Sequence, residues 1–231
     1  MKFRIFRASP FVALVLSVGP ACAGTAAMPA SMAPLADYLM PAADEIALAR
    51  SAAPAAISGS AEVMTLGRGG YETAVRGTNG FVCLVERAWT SPFDHADFWN
   101  PRTRGPICFN PAAAKSVMPS HLERTSWALA GLSREEMARR TKTSAAANTP
   151  PAAGAMSYMM SRNQILSGHN IHWHPHLMFW VSRMPTSAWG ANLNGSPVFG
   201  SSDGIDPVTT FSVPVGLWSD GTPAAREHHG S

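Results

Sequence analysis

Along residues 171–181 (IHWHPHLMFWV) the side chains sort by alternation. In an extended chain, successive side chains point to opposite faces. Ile171, Trp173, Pro175, Leu177, Phe179 and Val181 then share one face, and His172, His174, His176, Met178 and Trp180 share the other. The pattern predicts a strand over His176–Ser182, with the wholly apolar face assigned to the core. Shorter β-type runs mark Ala61–Leu66, Tyr71–Arg76, Phe81–Arg87, Ala155–Ser161 and Val208–Val215. Glycine-rich gaps at 67–70 and 77–80 separate the first three, which is the spacing of a meander of hairpins.

Helical signals lie between these runs. Ala42–Ala52 carries acids early and Arg50 late, and Pro54 ends it. Asn110-Pro111 is an N-cap followed by a first-turn proline and opens a helix over Ala112–Met118. Ser120-His121-Leu122-Glu123 and Ser133-Arg134-Glu135-Glu136 read as capping boxes, opening helices to about Ala130 and about Ala145. Residues 88–110 are aromatic, proline-containing and aperiodic, so a long functional loop is expected there. A β-then-α-then-β order predicts an α+β domain over 41–218, with a mainly antiparallel sheet and a helical insertion at about 110–146. Residues 24–40 are expected to be a flexible lead-in, and 219–231 a mobile tail.

Charge changes the picture only at the N-terminus. Lys2, Arg4 and Arg7, the apolar run Phe11–Val18 and the small residues Ala21-Cys22-Ala23 predict a secretory signal peptide cut after Ala23. The run is far shorter than the roughly 20 residues that span a bilayer, so no retained membrane helix is expected. The formal +3 comes from those three cations, because the remaining 15 Lys and Arg balance 15 Asp and Glu. No basic stripe is left for nucleic acid or an anionic membrane surface. The implied product is a periplasmic or secreted soluble protein. In that compartment Cys83 and Cys108, the pair left once Cys22 is removed, read as one disulfide; two buried free thiols are the alternative.

The candidate chemistry gathers on the histidine face. His169, His172, His174 and His176 are four of the chain's eight histidines. Histidines at i and i+2 of a strand lie about 6.6 Å apart and converge on one ion, whereas three in a row span about 13 Å. A transition-metal site (zinc, copper or iron) therefore needs two of them plus a bend at Pro175 or a ligand from His169, His121, His95 or Asp97. Thioethers from Met156, Met159, Met160 and Met178 suit copper(I), although methionine is also ordinary core filler, and histidine with carboxylate suits zinc or iron. The expected pocket is lined by His172, His174 and His176 with Trp173, Met178 and Trp180, and is capped by loop 88–106. Its partner is a small molecule or a metal ion. Three functions fit: a metal-binding protein or metal-dependent enzyme, a non-catalytic binding protein using Trp173 and Trp180, and a metal-free hydrolase or lyase with a histidine general base. Gly200-Ser201-Ser202-Asp203-Gly204 matches G-x-S-x-G, but a strand rather than a helix is expected after it, so it reads as a turn.

Four segments resemble a group of uncharacterised exported bacterial proteins. They are GTNGFVCLVER (77–87), FWNPRTRGPICFNPAA (98–113), GAMSYMMS (154–161) and HWHPHLMFW (172–180). The resemblance runs from about 61 to 220 and implies export and a single domain. It implies no activity and no site residues.

Overall fold

The structure, a computed structural model, describes residues 30–166 and 174–224. Helix α1 (Ala42–Arg50) and the single turn α2 (Ala55–Ser58) precede strands β1 (Glu62–Gly67), β2 (Gly70–Val75), β3 (Val82–Glu86) and β4 (Gly105–Phe109). Helices α3 (Pro111–Ser116), α4 (Met118–Leu129) and α5 (Arg134–Thr141) follow. The chain ends with β5 (Met156–Met159), β6 (His176–Ser182), β7 (Phe199–Ser201) and β8 (Val208–Pro214). The strands form one sheet in the order β2-β1-β3-β4-β5-β6-β8-β7, antiparallel except where β1 meets β3. This is an α+β fold with helices α3, α4 and α5 inserted between β4 and β5. No helix among the described residues is long and apolar enough to cross a membrane.

The first three strands are not a meander. Gly67–Gly70 turns β1 into β2 as a hairpin, but β3 then runs parallel to β1 on its other side. The second glycine gap marks a crossing rather than a turn. A Cβ on Gly77 would stand 2.1 Å from the Glu62 nitrogen, so only glycine passes the start of β1. The sequence reading also placed 105–109 in the long loop, whereas β4 is a central strand with every residue buried. Gly105 and Pro106 disguise it. Glycine fits because a Cβ at 105 would press to 3.2 Å from Leu166.

Two of the three helix starts form as expected. Asn110 Oδ1 accepts from the Ala113 N–H and Ser133 Oγ accepts from the Glu136 N–H. The Ser120 box does not form. Pro119 already occupies the first turn of α4, so Ser120 is helical and its hydroxyl donates to the Val117 carbonyl at 2.8 Å. α5 stops at Thr141, short of the expected Ala145.

Both faces of the first half of the sheet are covered. Helix α1 packs on β1, β3 and β4, and Ala49, Ala52 and Ala53 meet Val63, Val85 and the Cys83–Cys108 disulfide. The two cysteines face each other across β3 and β4 with Cα atoms 4.0 Å apart, and so cross-link these strands three residues from the loop that joins them. On the other face, Leu84, Ile107, Phe109, Met159 and Trp180 pack under Ala113 and Val117 of the α3 region. The loop's Trp89, Phe93, Phe98 and Trp99 form a third cluster with Tyr38, Ala128 and Met137. The packed body extends past the expected domain limits. Tyr38 is fully buried and donates to the Trp99 carbonyl, and the Ser219 N–H donates to the Met160 carbonyl.

The face assignment of β6 is corrected. His176 and Trp180 are buried, whereas Leu177, Phe179 and Val181 are only partly so. The cause lies in the cover each face receives. The α3–α4 layer lies over the Met178–Trp180 face, while α1 packs on β1, β3 and β4. Among the described residues, the 3-10 turn Thr186–Trp189 meets the opposite face, where Trp189 stacks on Phe211 at 4.3 Å and lies near Phe179.

Candidate functional site

Helix α4 carries a buried stripe of His121, Arg124, Thr125 and Ala128, spaced i, i+3, i+4 and i+7. Half of that stripe is titratable, so the side chains pressed toward the sheet need polar partners. Between α4 and the sheet lies a cavity of about 350 Å³. Its floor includes Glu86 at the end of β3, Met159 of β5, His176, Met178 and Trp180 of β6, and Thr210 and Ser212 of β8. Its walls are α4, loop residues Thr90, Ser91 and His95, and the turn Ser201–Asp206.

His121 is held on three sides. Its Nδ1 forms a short hydrogen bond to Glu86 Oε1, and its ring meets Trp180 and Phe109 edge-on, at 5.4 and 5.5 Å between centroids. A carboxylate can only accept, so the proton of a neutral imidazole resides on Nδ1 and Nε2 keeps its lone pair. Glu86 reaches His121 because it lies on the same face of β3 as Leu84, next to the helical layer.

One turn further along α4, Arg124 ties two loops together. Its guanidinium donates to the Thr90 and Ser91 carbonyls at 3.2 Å each and to Asp206 Oδ2 at 3.4 Å. It also lies 3.9 Å from the centroid of the Phe93 ring. Burial lowers the Arg124 pKa despite the nearby Asp206, Asp203 and Glu86. Burial also raises the Asp206 carboxyl above its ordinary value, against the opposing pull of Arg124 and His121. Desolvation thus outweighs mutual attraction for both partners. Asp203 behaves oppositely. Burial would raise it, but N–H donors from Asp206, Ile205 and Phe93, with Arg124 nearby, hold it below the usual carboxylate range.

The structure brings His95, His121, His176, Met178 and Trp180 to this cavity. His176 Nδ1 donates to the His174 carbonyl at 2.8 Å, and burial depresses its pKa. His174 contributes that carbonyl. Asp97 is buried beside the loop, and its backbone N–H donates to His95 Nδ1 at 3.1 Å. His169, His172 and Trp173 lie outside the described residues. Among the described residues, no group of three or more His, Cys, Asp or Glu side chains is placed to hold a metal ion. Trp180 is a wall rather than an open platform: it is 8 % exposed, and its indole N–H donates to Ser157 Oγ. The aromatic residues of loop 88–106 do not cap the cavity, because burying them in their own cluster removes more apolar surface from water. The loop forms a wall through its polar positions instead.

Glu86, Arg124, Asp203 and Asp206 escaped the sequence reading. Two of them had a legible signal: Glu86 is a charge on the face of β3 that also carries Leu84, and Arg124 lies three residues from His121 on a helical stripe. The G-x-S-x-G segment begins in β7 with Gly200 and Ser201, and the chain turns after that strand. Asp203 Oδ1 accepts from the Ile205 and Asp206 N–H groups, and β8 rather than a helix follows. No protein-family model, curated protein or solved structure matches this chain.

Proposed function

We propose that the cavity binds a small organic molecule and that His121, oriented by Glu86, acts on it as a general base in a metal-free hydrolytic or eliminative reaction. The observation that carries this reading is the His121–Glu86 hydrogen bond at the wall of a 350 Å³ cavity. Nδ1 keeps its proton on Glu86 while Nε2 takes one from a water or from the substrate, and Glu86 then stabilises the imidazolium. The same reading includes export to the periplasm or beyond. The basic, apolar and small-residue order of 2–23 and the disulfide support it, since such bonds persist in oxidising compartments.

The test is turnover by the full chain and by His121→Gln and Glu86→Gln on panels of esters, amides, glycosides and eliminable hydroxy acids. A general base contributes about 10²–10⁴-fold, so His121→Gln should lower kcat by that factor with little change in KM. Unchanged kcat in His121→Gln would sink the reading. A ligand that raises Tm with no turnover on any panel would favour a non-catalytic binding protein.

A transition-metal site at the start of β6 is the second reading, favoured by one observation. His176 is buried, its proton-bearing Nδ1 is held by a backbone carbonyl, and burial favours its neutral form, as metal-ligating histidines require. Elemental analysis of tagless protein beside a His174→Ala/His176→Ala variant tests it. Equal substoichiometric zinc, copper and iron in both would remove it.

A further inference from the structure

Two carboxyl groups three residues apart on the cavity wall are treated very differently by their surroundings. Asp203 is saturated: Oδ1 accepts from the Ile205 and Asp206 N–H groups at 2.8 and 2.9 Å, and Oδ2 accepts from the Phe93 N–H at 3.2 Å. Three amide donors stabilise its ionised form. Asp206 has no amide donor to its carboxyl among the described contacts. Its one cationic contact is Arg124 at 3.4 Å, and that guanidinium is shared with two backbone carbonyls. The Asp203 carboxyl lies against the Asp206 backbone nitrogen, so both carboxyl groups stand on one turn, and Asp206 lines the same cavity as His121. Two close carboxylates resist double ionisation, and the member with fewer donors keeps the proton.

We infer that Asp203 and Asp206 form a carboxylate–carboxylic acid pair sharing one proton, and that Asp206 delivers this proton into the cavity as the acid partner of the base His121. The pair is inferred from the unequal donors of two carboxyl groups on one turn, and its use as an acid rests on the function proposed for His121. The charged groups around Asp206 are Arg124 and His121 from α4, Glu86 from β3, Asp203 from its own turn, and His95 on the facing loop. Arg183, from just beyond β6, donates to the Asp206 backbone carbonyl. The direction of its pKa agrees, since burial and the Asp203 charge hold the Asp206 carboxyl above its ordinary value.

In hydrolysis, His121 Nε2 takes a proton from water as the water oxygen bonds to the substrate carbon. The bond from that carbon to the leaving oxygen or nitrogen breaks with its electron pair on the leaving atom, which takes the Asp206 proton. Loss of the His121 proton to solvent and reprotonation of Asp206 restore the site. An acid of this kind is needed where the leaving atom is basic, as in amides, alkyl esters and glycosides. It is not needed for nitrophenyl esters, whose leaving group departs as a stable anion.

Two measurements test this. The first is a carboxyl ¹³C NMR titration of the wild-type chain labelled at aspartate, with assignments from Asp206→Asn and Asp203→Asn. One aspartate titrating well above the ordinary value of 3.8, absent in Asp206→Asn and shifted downward in Asp203→Asn, is the expected result. No aspartate titrating above the ordinary value of 3.8, or one whose midpoint is unmoved by Asp203→Asn, would overturn the pair. The titration needs only the wild-type fold and no substrate, so it stands whether or not His121 is a base. The second compares Asp206→Asn with wild type on matched alkyl and nitrophenyl substrates. The expected loss is tenfold or more in kcat for alkyl leaving groups, with nitrophenyl turnover largely spared. Equal loss on both would overturn the acid role, and His121→Gln, which should slow both, reports separately on the base.

Discussion

Two buried arginine–carboxylate pairs hold this molecule together in contrasting ways. Arg87 and Glu45 are sealed, with side chains 0 % and 1 % exposed. The Arg87 guanidinium donates to Glu45 Oε1 at 2.8 Å, to the Tyr38 carbonyl at 2.9 Å and to the Val85 carbonyl, and Glu45 also accepts from the Leu66 N–H. Arg124 and Asp206 stand 3.4 Å apart at a cavity wall, with the carboxylate side chain 24 % exposed. The first pair joins α1 to the β1–β3 region and is closed to solvent, with Glu45 Oε1 taking both donors and Oε2 buried without a hydrogen-bond partner among the described residues. The second leaves its carboxyl weakly partnered and open to a ligand. Access to the cavity thus separates a structural pair from a chemical one.

The largest effect expected from breaking this contrast is on the sealed pair. Glu45→Ala strands a buried guanidinium and should cost about 3–5 kcal/mol in urea unfolding; a loss below 1 kcal/mol would mean that the pair is not structural. Removing the neighbouring disulfide with Cys83→Ala/Cys108→Ala should cost about 3 kcal/mol. Thiol counting under denaturing conditions checks the bond itself, with no free thiols expected from these two cysteines. At the open pair, Arg124→Met should cost about 1–3 kcal/mol, because several of its acceptors regain water at the cavity. Asp206→Asn should cost little at neutral pH. A folded carboxyl pKa raised above its unfolded value contributes stability below the unfolded value, and that contribution is lost as pH rises through the folded one. The Tm of Asp206→Asn should therefore gain on wild type as pH rises from 4 to 7; a widening deficit would rule out a raised Asp206 carboxyl.

The smallest effect concerns His176. Burial lowers its folded pKa, so the unfolded chain binds the proton first as pH falls below the ordinary value of 6.5. In metal-free protein its contribution is complete above 6.5 and shrinks as pH falls toward the folded value. His176→Gln should flatten that part of a Tm-against-pH curve, and identical slopes would place the histidine in water.

Some of this was legible because it is local. Alternation over 176–182 specifies a strand through the two-residue period of extended chain, and β6 spans those residues. Asn110 and Ser133 cap their helices because a side-chain oxygen reaches an N–H two or three residues ahead. His121 was legible only as one candidate among several, because the partner that fixes its tautomer lies 35 residues away.

What the sequence by itself determined, then, is a set of elements, a face of histidine, methionine and tryptophan on β6, and a cysteine pair suited to a disulfide. Local backbone geometry and side-chain period decide those. Only the tertiary structure decided which face of β6 is covered, that β3 passes beside β1, and that Glu86, His121, Arg124 and Asp206 share one cavity. Arg124 meets Asp206 across 82 residues of chain, and such a meeting depends on how the helical layer lies over the sheet. No short-range preference encodes that placement, and the chemistry proposed for the protein depends on it.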